Sequence, residues 1–142
     1  MIVLDVNILL YAYDSDSPHH AAAKPWIERT LSSGDPVGLP WQTIAAFLRI
    51  STNARAMNRR LLLEEAVEAV DEWLQQPNVR VLEPTEDHWV VLRQMVTEGQ
   101  TTGPLVTDAE LAAITVEYGG VIYTTDRDFA RFPGLRWKNP LA

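Results

Sequence analysis

Two short apolar runs, each stopping near an acid, limit the folds open to this chain. Ile2-Val3-Leu4 runs into Asp5, and Val121-Ile122-Tyr123-Thr124 runs into Thr125-Asp126. Unbroken apolar stretches of this length read as buried strands, of the kind that parallel sheets cover with helices. Val37 to Pro40 and Val79 to Leu82 supply two further short strand patterns, and the tail around Arg136-Trp137 a last one.

Helical patterns fill the intervals. A short apolar helix is expected over Asn7 to Tyr13. A second starts at Ser17-Pro18, with Ser at the cap, and runs to about Leu31. A third opens at Pro40-Trp41 and carries Ile44, Phe47, Leu48 and Ser51 on one face. Leu63 to Leu74 is amphipathic, with Val67, Val70, Trp73 and Leu74 opposite an acidic face. Another helix starts at Thr85 or Glu86, carries Trp89, Leu92 and Val96, and ends near Glu98. Thr107-Asp108-Ala109-Glu110 has the form of a capping box, opening a helix that stops at Gly119-Gly120. Short strands alternating with helices, without repeat or linker, predict one α/β domain over residues 1–142 with a mostly parallel central sheet.

Composition narrows the chemistry. The chain has no cysteine, which excludes thiolate metal sites, disulfides and a Cys nucleophile. It opens without a secretory leader pattern and holds no apolar run long enough to span a membrane, so a cytoplasmic protein without membrane contact is expected. The net charge of −7 argues against a general nucleic-acid binder. Its distribution softens that argument: Glu64, Glu65, Glu68, Asp71 and Glu72 crowd one segment, whereas Arg49, Arg55, Arg59 and Arg60 occupy a stretch without acids.

In open parallel sheets, ligands gather at the carboxyl ends of strands. Asp5 follows the first strand, and Asp126 and Asp128 follow the later one. Asp108 stands near the start of the preceding helix. If the topology brings these acids together, their mutual repulsion raises their pKa values, and a hard divalent cation relieves it. An all-carboxylate site suits Mg²⁺, with Mn²⁺ able to substitute. Such a site can activate water toward a phosphodiester.

Each residue also has a plainer reading. Asp5, Asp126 and Asp128 are each compatible with a turn, and Asp108 with a favourable acid at a helix N-terminus. Asn7 either orients a ligand or water or caps its helix; Thr125 either bonds phosphate or caps a turn. Glu110 reads as the reciprocal half of the capping box. Asp14 and Asp16 resemble a metal-binding pair but fit a helix start better. His19, His20 and His88 read as solvated, and most of the five Trp residues as core, with Trp41 the least settled.

Taken in order, Leu4-Asp5-Val6-Asn7, Thr107-Asp108-Ala109 and Thr124-Thr125-Asp126-Arg127-Asp128-Phe129 resemble the PIN domain, and more narrowly the VapC toxins of type II toxin–antitoxin pairs. Gly38-Leu39-Pro40-Trp41, Phe47-Leu48-Arg49-Ile50, Leu111-Ala112-Ala113 and Phe132-Pro133-Gly134-Leu135-Arg136-Trp137 resemble a mycobacterial-type subgroup. The resemblance implies a Rossmann-like α/β/α sandwich and Mg²⁺-dependent cleavage of structured RNA, such as tRNA or ribosomal RNA. It also implies a homodimer and inhibition by a cognate VapB antitoxin, with no direct DNA binding by this chain alone. By it, Asp5, Asp108 and Asp126 hold the metal with Asp128 alongside. The expected substrate-binding residues beside them are Asn7, Thr125 and Arg49.

One departure stands out. PIN domains usually carry an acid in the helix after the second strand, and Trp41 to Arg49 contains none. One Mg²⁺ is therefore the expectation, with Gln42 as a weak or water-mediated ligand or Glu110 compensating. The expected reaction is in-line attack of water on phosphorus, leaving a 5′-phosphate and a 3′-hydroxyl.

Two rivals bear comparison. A phosphatase of the haloacid dehalogenase type wants a second Asp where Asn7 stands, and a receiver domain wants a lysine after a late strand, which is missing. A catalytically weak PIN fold that only binds RNA or a partner is the alternative kept open by the absent helix acid. The apolar faces at Ile8 to Tyr13 and Trp26 to Leu31 are candidates for a groove receiving an amphipathic antitoxin helix, or else simply pack on the sheet.

Overall fold

The computed structural model describes residues 1–142 and contains five strands, all parallel, in the order β3-β2-β1-β4-β5. The strands are β1 (Ile2–Leu4), β2 (Val37–Pro40), β3 (Val79–Leu82), β4 (Val121–Tyr123) and β5 (Arg136–Lys138). The helices are α1 (Val6–Tyr13), α2 (His20–Ser32), α3 (Trp41–Ser51), α4 (Leu63–Gln75), α5 (His88–Glu98) and α6 (Leu105–Glu117). A 3-10 turn, Arg127–Arg131, links β4 to β5.

Alternation along each strand divides the core between two faces. Leu4, Val37 and Leu39 pack with Ile8, Leu9, Ile27, Phe47 and Trp73 from α1 to α4. Val3, Leu82 and Ile122 pack with Met95 and the Ala109–Ile114 stretch of α6, closed by Phe129 and Phe132. This is the expected α/β/α sandwich with a parallel sheet. β1 lies at the centre, with β2 on one side and β4 on the other, so the direction of chain winding reverses between β1 and β4. Ligand crevices form at such reversals.

Several sequence expectations shift. Ser17 accepts from the backbone N–H of His19 at 3.1 Å, but α2 begins only at His20. The capping box at Thr107 does not form: α6 starts two residues earlier, at Leu105 after Pro104. Proline there needs no N–H partner, so the start moves upstream, and Glu110 has no capping role. On α4 the buried face is Ala66, Ala69 and Trp73, while Val67 and Leu74 are exposed. The small alanines let α4 approach the sheet and turn the larger residues outward. On α5, Met95 is the buried residue and Trp89 is 68% exposed, contrary to a core reading.

The histidines are also more engaged than expected. His20 Nδ1 lies 2.9 Å from the Tyr11 carbonyl oxygen, and the His19 ring packs on Tyr11. His88 pairs with Glu117 at 2.6 Å. Glu117 also accepts from the Thr85 backbone N–H and hydroxyl, which ties the start of α5 to the end of α6. Asp14 accepts from the Asp16 backbone N–H at 3.1 Å, a local turn rather than a paired site.

Candidate metal and catalytic site

The site is built around a buried hydroxyl. β1 and β4 are neighbours in register, Leu4 beside Tyr123, so the residues after each strand emerge together. Asp5 caps α1, its Oδ1 accepting from the Val6 N–H at 2.7 Å. Its Oδ2 accepts from the Thr124 hydroxyl at 2.7 Å. With its proton committed to Asp5, Thr124 Oγ1 accepts from the Asp126 N–H at 3.0 Å and from Asn7 Nδ2 at 3.3 Å. One fully buried threonine thus orients both strand-end acids and the amide between them.

Asn7 Nδ2 also donates to Thr125 Oγ1 at 3.0 Å, and the Tyr11 hydroxyl lies 3.5 Å from the same oxygen. Asp126 caps the 3-10 turn, accepting from the Asp128 N–H at 2.9 Å. Asn7 and Thr125 therefore stand against the acid pair. Arg49 is exposed in the last turn of α3, seven residues past Gln42, or about 10 Å along the helix axis.

Electrostatics places Asp108 in the same site. Burial first, and then the charges of Asp126, Asp5 and Asp128, with Arg131 opposing, together raise its carboxyl to about 6. Burial also raises Asp5, against the hydrogen bonds from Thr124 and Val6, with Asp126 adding a smaller push. The four acids thus share one field. They do not form the closed set expected from sequence, because no three of them stand around a common point within ligand distance. Local bonds hold Asp5 and Asp126 to their own caps, and repulsion favours this spacing.

The donor set nonetheless fits a hard divalent cation. Every group is oxygen, and His and Cys are absent from the cluster. Asn7 Oδ1 is buried without a hydrogen-bond partner, its amide turned by the two threonine hydroxyls. A spaced carboxylate set suits an ion that keeps much of its water, as Mg²⁺ does.

Gln42, at the second position of α3, reaches across to the Thr107 carbonyl at 3.2 Å, whereas Glu110 has no such link to the cluster. Sequence reasoning missed Thr124, Tyr11 and Arg131. Thr124 was legible only as the one non-aromatic polar residue closing an apolar run. Arg131 donates to the Gly99 carbonyl at 3.3 Å, and nothing in its spacing marks its charge as acting on Asp108.

Comparison with known proteins agrees with this architecture. The PIN domain family profile matches residues 2–135. The chain is similar to ribonuclease VapC37 of Mycobacterium tuberculosis, 39% identical over 142 residues, covering 100% of this chain and 99% of that protein. Ribonuclease VapC43 of the same species is 38% identical over 141 residues, covering 99% and 96%. Among solved structures, VapC20 of M. tuberculosis, described as a sarcin-ricin loop cleaving toxin, superposes with a TM-score of 0.65 at 22% identity, covering 96% of this chain and 99% of that one. A chain of VapBC2 from Rickettsia felis, solved bound to a promoter DNA fragment, gives 0.69 at 16% identity, covering 98% of each. At these identities the structures speak for the fold.

Proposed function

The chain belongs to the PIN-domain family, among the VapC ribonucleases, and from that premise we propose that it is a Mg²⁺-dependent endoribonuclease toxin acting on structured RNA in the cytoplasm. The observation that carries the catalytic part is the grouping of Asp5, Asp108, Asp126 and Asp128 at the reversal of the sheet, where burial together with the charges of the other three raises Asp108 to about 6. Mg²⁺ held by Asp5, Asp108 and Asp126, with Asp128 on its water shell, would supply Lewis-acid stabilisation of the phosphate and a more acidic water.

The protein's own groups then divide the remaining work. Thr124 fixes the Asp5 carboxylate so that little reorganisation accompanies substrate binding. Asp128, which is exposed, would accept a proton from the attacking water. Thr125 and Asn7 offer hydrogen bonds to a phosphate oxygen, and Arg131 a positive charge beside Asp108. Arg49, with Arg55, Arg59 and Arg60, grips the RNA backbone farther out. Water as nucleophile leaves a 5′-phosphate and a 3′-hydroxyl. Sequencing both fragment ends from cleaved tRNA and ribosomal RNA tests this, and 2′,3′-cyclic phosphate ends would contradict it.

The partner reading rests on a groove of about 590 Å³ between α1, α2 and α4. Ala12, Tyr13, Ile27, Leu31 and Trp73 give it an apolar floor, while Lys24, Glu28 and Glu72 supply charge at its margin. Ile8 and Leu9 pack inward, so the early helices serve both the core and the groove. A cognate VapB-type antitoxin would lay an amphipathic segment there. Leu31→Asp should weaken neutralisation by the antitoxin and leave RNA cleavage unchanged; retained neutralisation would reject this groove. A homodimer is the expected assembly, and Trp89 and Val90, 68% and 71% exposed on α5, offer apolar surface for it.

A further inference from the structure

The first turns of α3 and α6 are joined by a single side chain. Gln42 Nε2 donates to the Thr107 carbonyl, 65 residues away in sequence, and that carbonyl belongs to the peptide bond leading into Asp108. The bond fixes which way the amide faces, since reversal would set Oε1 against a carbonyl oxygen. Oε1 is then sealed from solvent with no donor. An orphaned buried acceptor costs at least as much as one neutral hydrogen bond returns. An apolar side chain of the same length would avoid that cost, so stability does not explain a glutamine here.

Its effect on Asp108 does. Asp5 and Asp126 are held by hydrogen bonds to their own neighbours. Asp108 is acted on only by burial and by charges, with no hydrogen bond to fix it. The backbone under it is therefore the means left to place it. Resting on the nuclease reading above, we propose that Gln42 is a positioning residue: its amide clamps the Thr107–Asp108 peptide and so sets where the Asp108 carboxylate stands relative to Asp5 and Asp126. A neutral side chain does this without adding a fifth negative charge to the cluster.

Two variants test the clamp, Gln42→Met and Gln42→Glu. Three readouts apply to the full-length, antitoxin-free protein: melting in EDTA, Mn²⁺ affinity by calorimetry without RNA, and kcat and KM on RNA. Gln42→Met removes the bond and the orphan together, so its melting temperature stays within about 2 °C of wild type or rises. Its Mn²⁺ Kd weakens about tenfold and kcat falls by a similar factor, with KM little changed. Gln42→Glu keeps the length but has no donor for the Thr107 carbonyl, and it does not restore kcat.

Wild-type Mn²⁺ affinity and kcat in Gln42→Met would overturn the proposal, as would a lowered melting temperature with unchanged Mn²⁺ affinity. Full activity in Gln42→Glu would overturn it too, by marking the position as one for an acidic ligand. Those results leave the nuclease reading standing. A wild type that binds no Mn²⁺ would remove both.

Discussion

Asp108 stands in the folded chain at a cost in stability near neutral pH. Its carboxyl is raised from an ordinary 3.8 to about 6, so the folded chain holds that proton more tightly than the unfolded chain does. Stability from this group is full below about pH 4 and is lost as pH rises through about 6. Asp108→Asn bears no such loss. In EDTA its melting temperature should exceed that of wild type by a margin that grows from pH 4 to pH 6.5 and then levels, while cleavage is abolished. A margin that stays flat or shrinks over that range would show that burial and the neighbouring acids do not raise Asp108 in the folded chain. Thr124 makes the opposite case. Thr124→Val keeps the shape but strands Asp5 Oδ2 and the Asp126 N–H and leaves the Asn7 amide with only its bond to Thr125. It should cost about 1–3 kcal/mol in urea unfolding and lower kcat. Asp5 and Asp126 were legible because each follows an apolar strand. Thr124 was not, because its importance lies in three hydrogen bonds to residues 117 or more positions away or within its own turn, and sequence periodicity carries no record of them.

Among the elements, strands and helix order were legible and helix faces less so. β1 and β4 were found as apolar runs because both faces of each are covered. The face of α4 was misread because large apolar residues outweigh alanines in a pattern, whereas close approach to the sheet selects Ala66 and Ala69. The start of α6 was misread because Thr107 and Glu110 mimic a capping box that Pro104 pre-empts. Close approach also governs Gly99, at the end of α5. A Cβ there would lie 2.5 Å from the Met95 carbonyl oxygen and 2.9 Å from the Phe132 ring. Gly99→Ala should therefore destabilise by about 1–3 kcal/mol, seen as a lower urea midpoint. Because Arg131 bonds the Gly99 carbonyl and its charge acts on Asp108, a loss of activity beyond the loss of folded protein should accompany it.

For the molecule as a whole, a net charge of −7 must be reconciled with the proposed RNA substrate. Five acids crowd α4 and four more the candidate metal site, whereas Arg49, Arg55, Arg59 and Arg60 occupy a stretch without acids. Arg49→Ala should raise KM and reduce the salt dependence of binding by roughly one unit of slope, with kcat nearly constant. An unchanged slope would place the RNA elsewhere. No helix is long and apolar enough to cross a membrane. The fold and the order of the acids could be read from the chain because parallel strands and strand-end acids leave local patterns. The spacing of the acids could not, since it depends on how α3, α6 and β4 meet. The most direct test is cleavage of total cellular RNA by wild type and by Asp5→Asn, each with Mg²⁺ and with EDTA, after removal of any antitoxin. Discrete cuts that require both Mg²⁺ and Asp5 are the predicted result. Cuts that persist in EDTA or in Asp5→Asn, or no cuts by folded wild type with Mg²⁺, would contradict it.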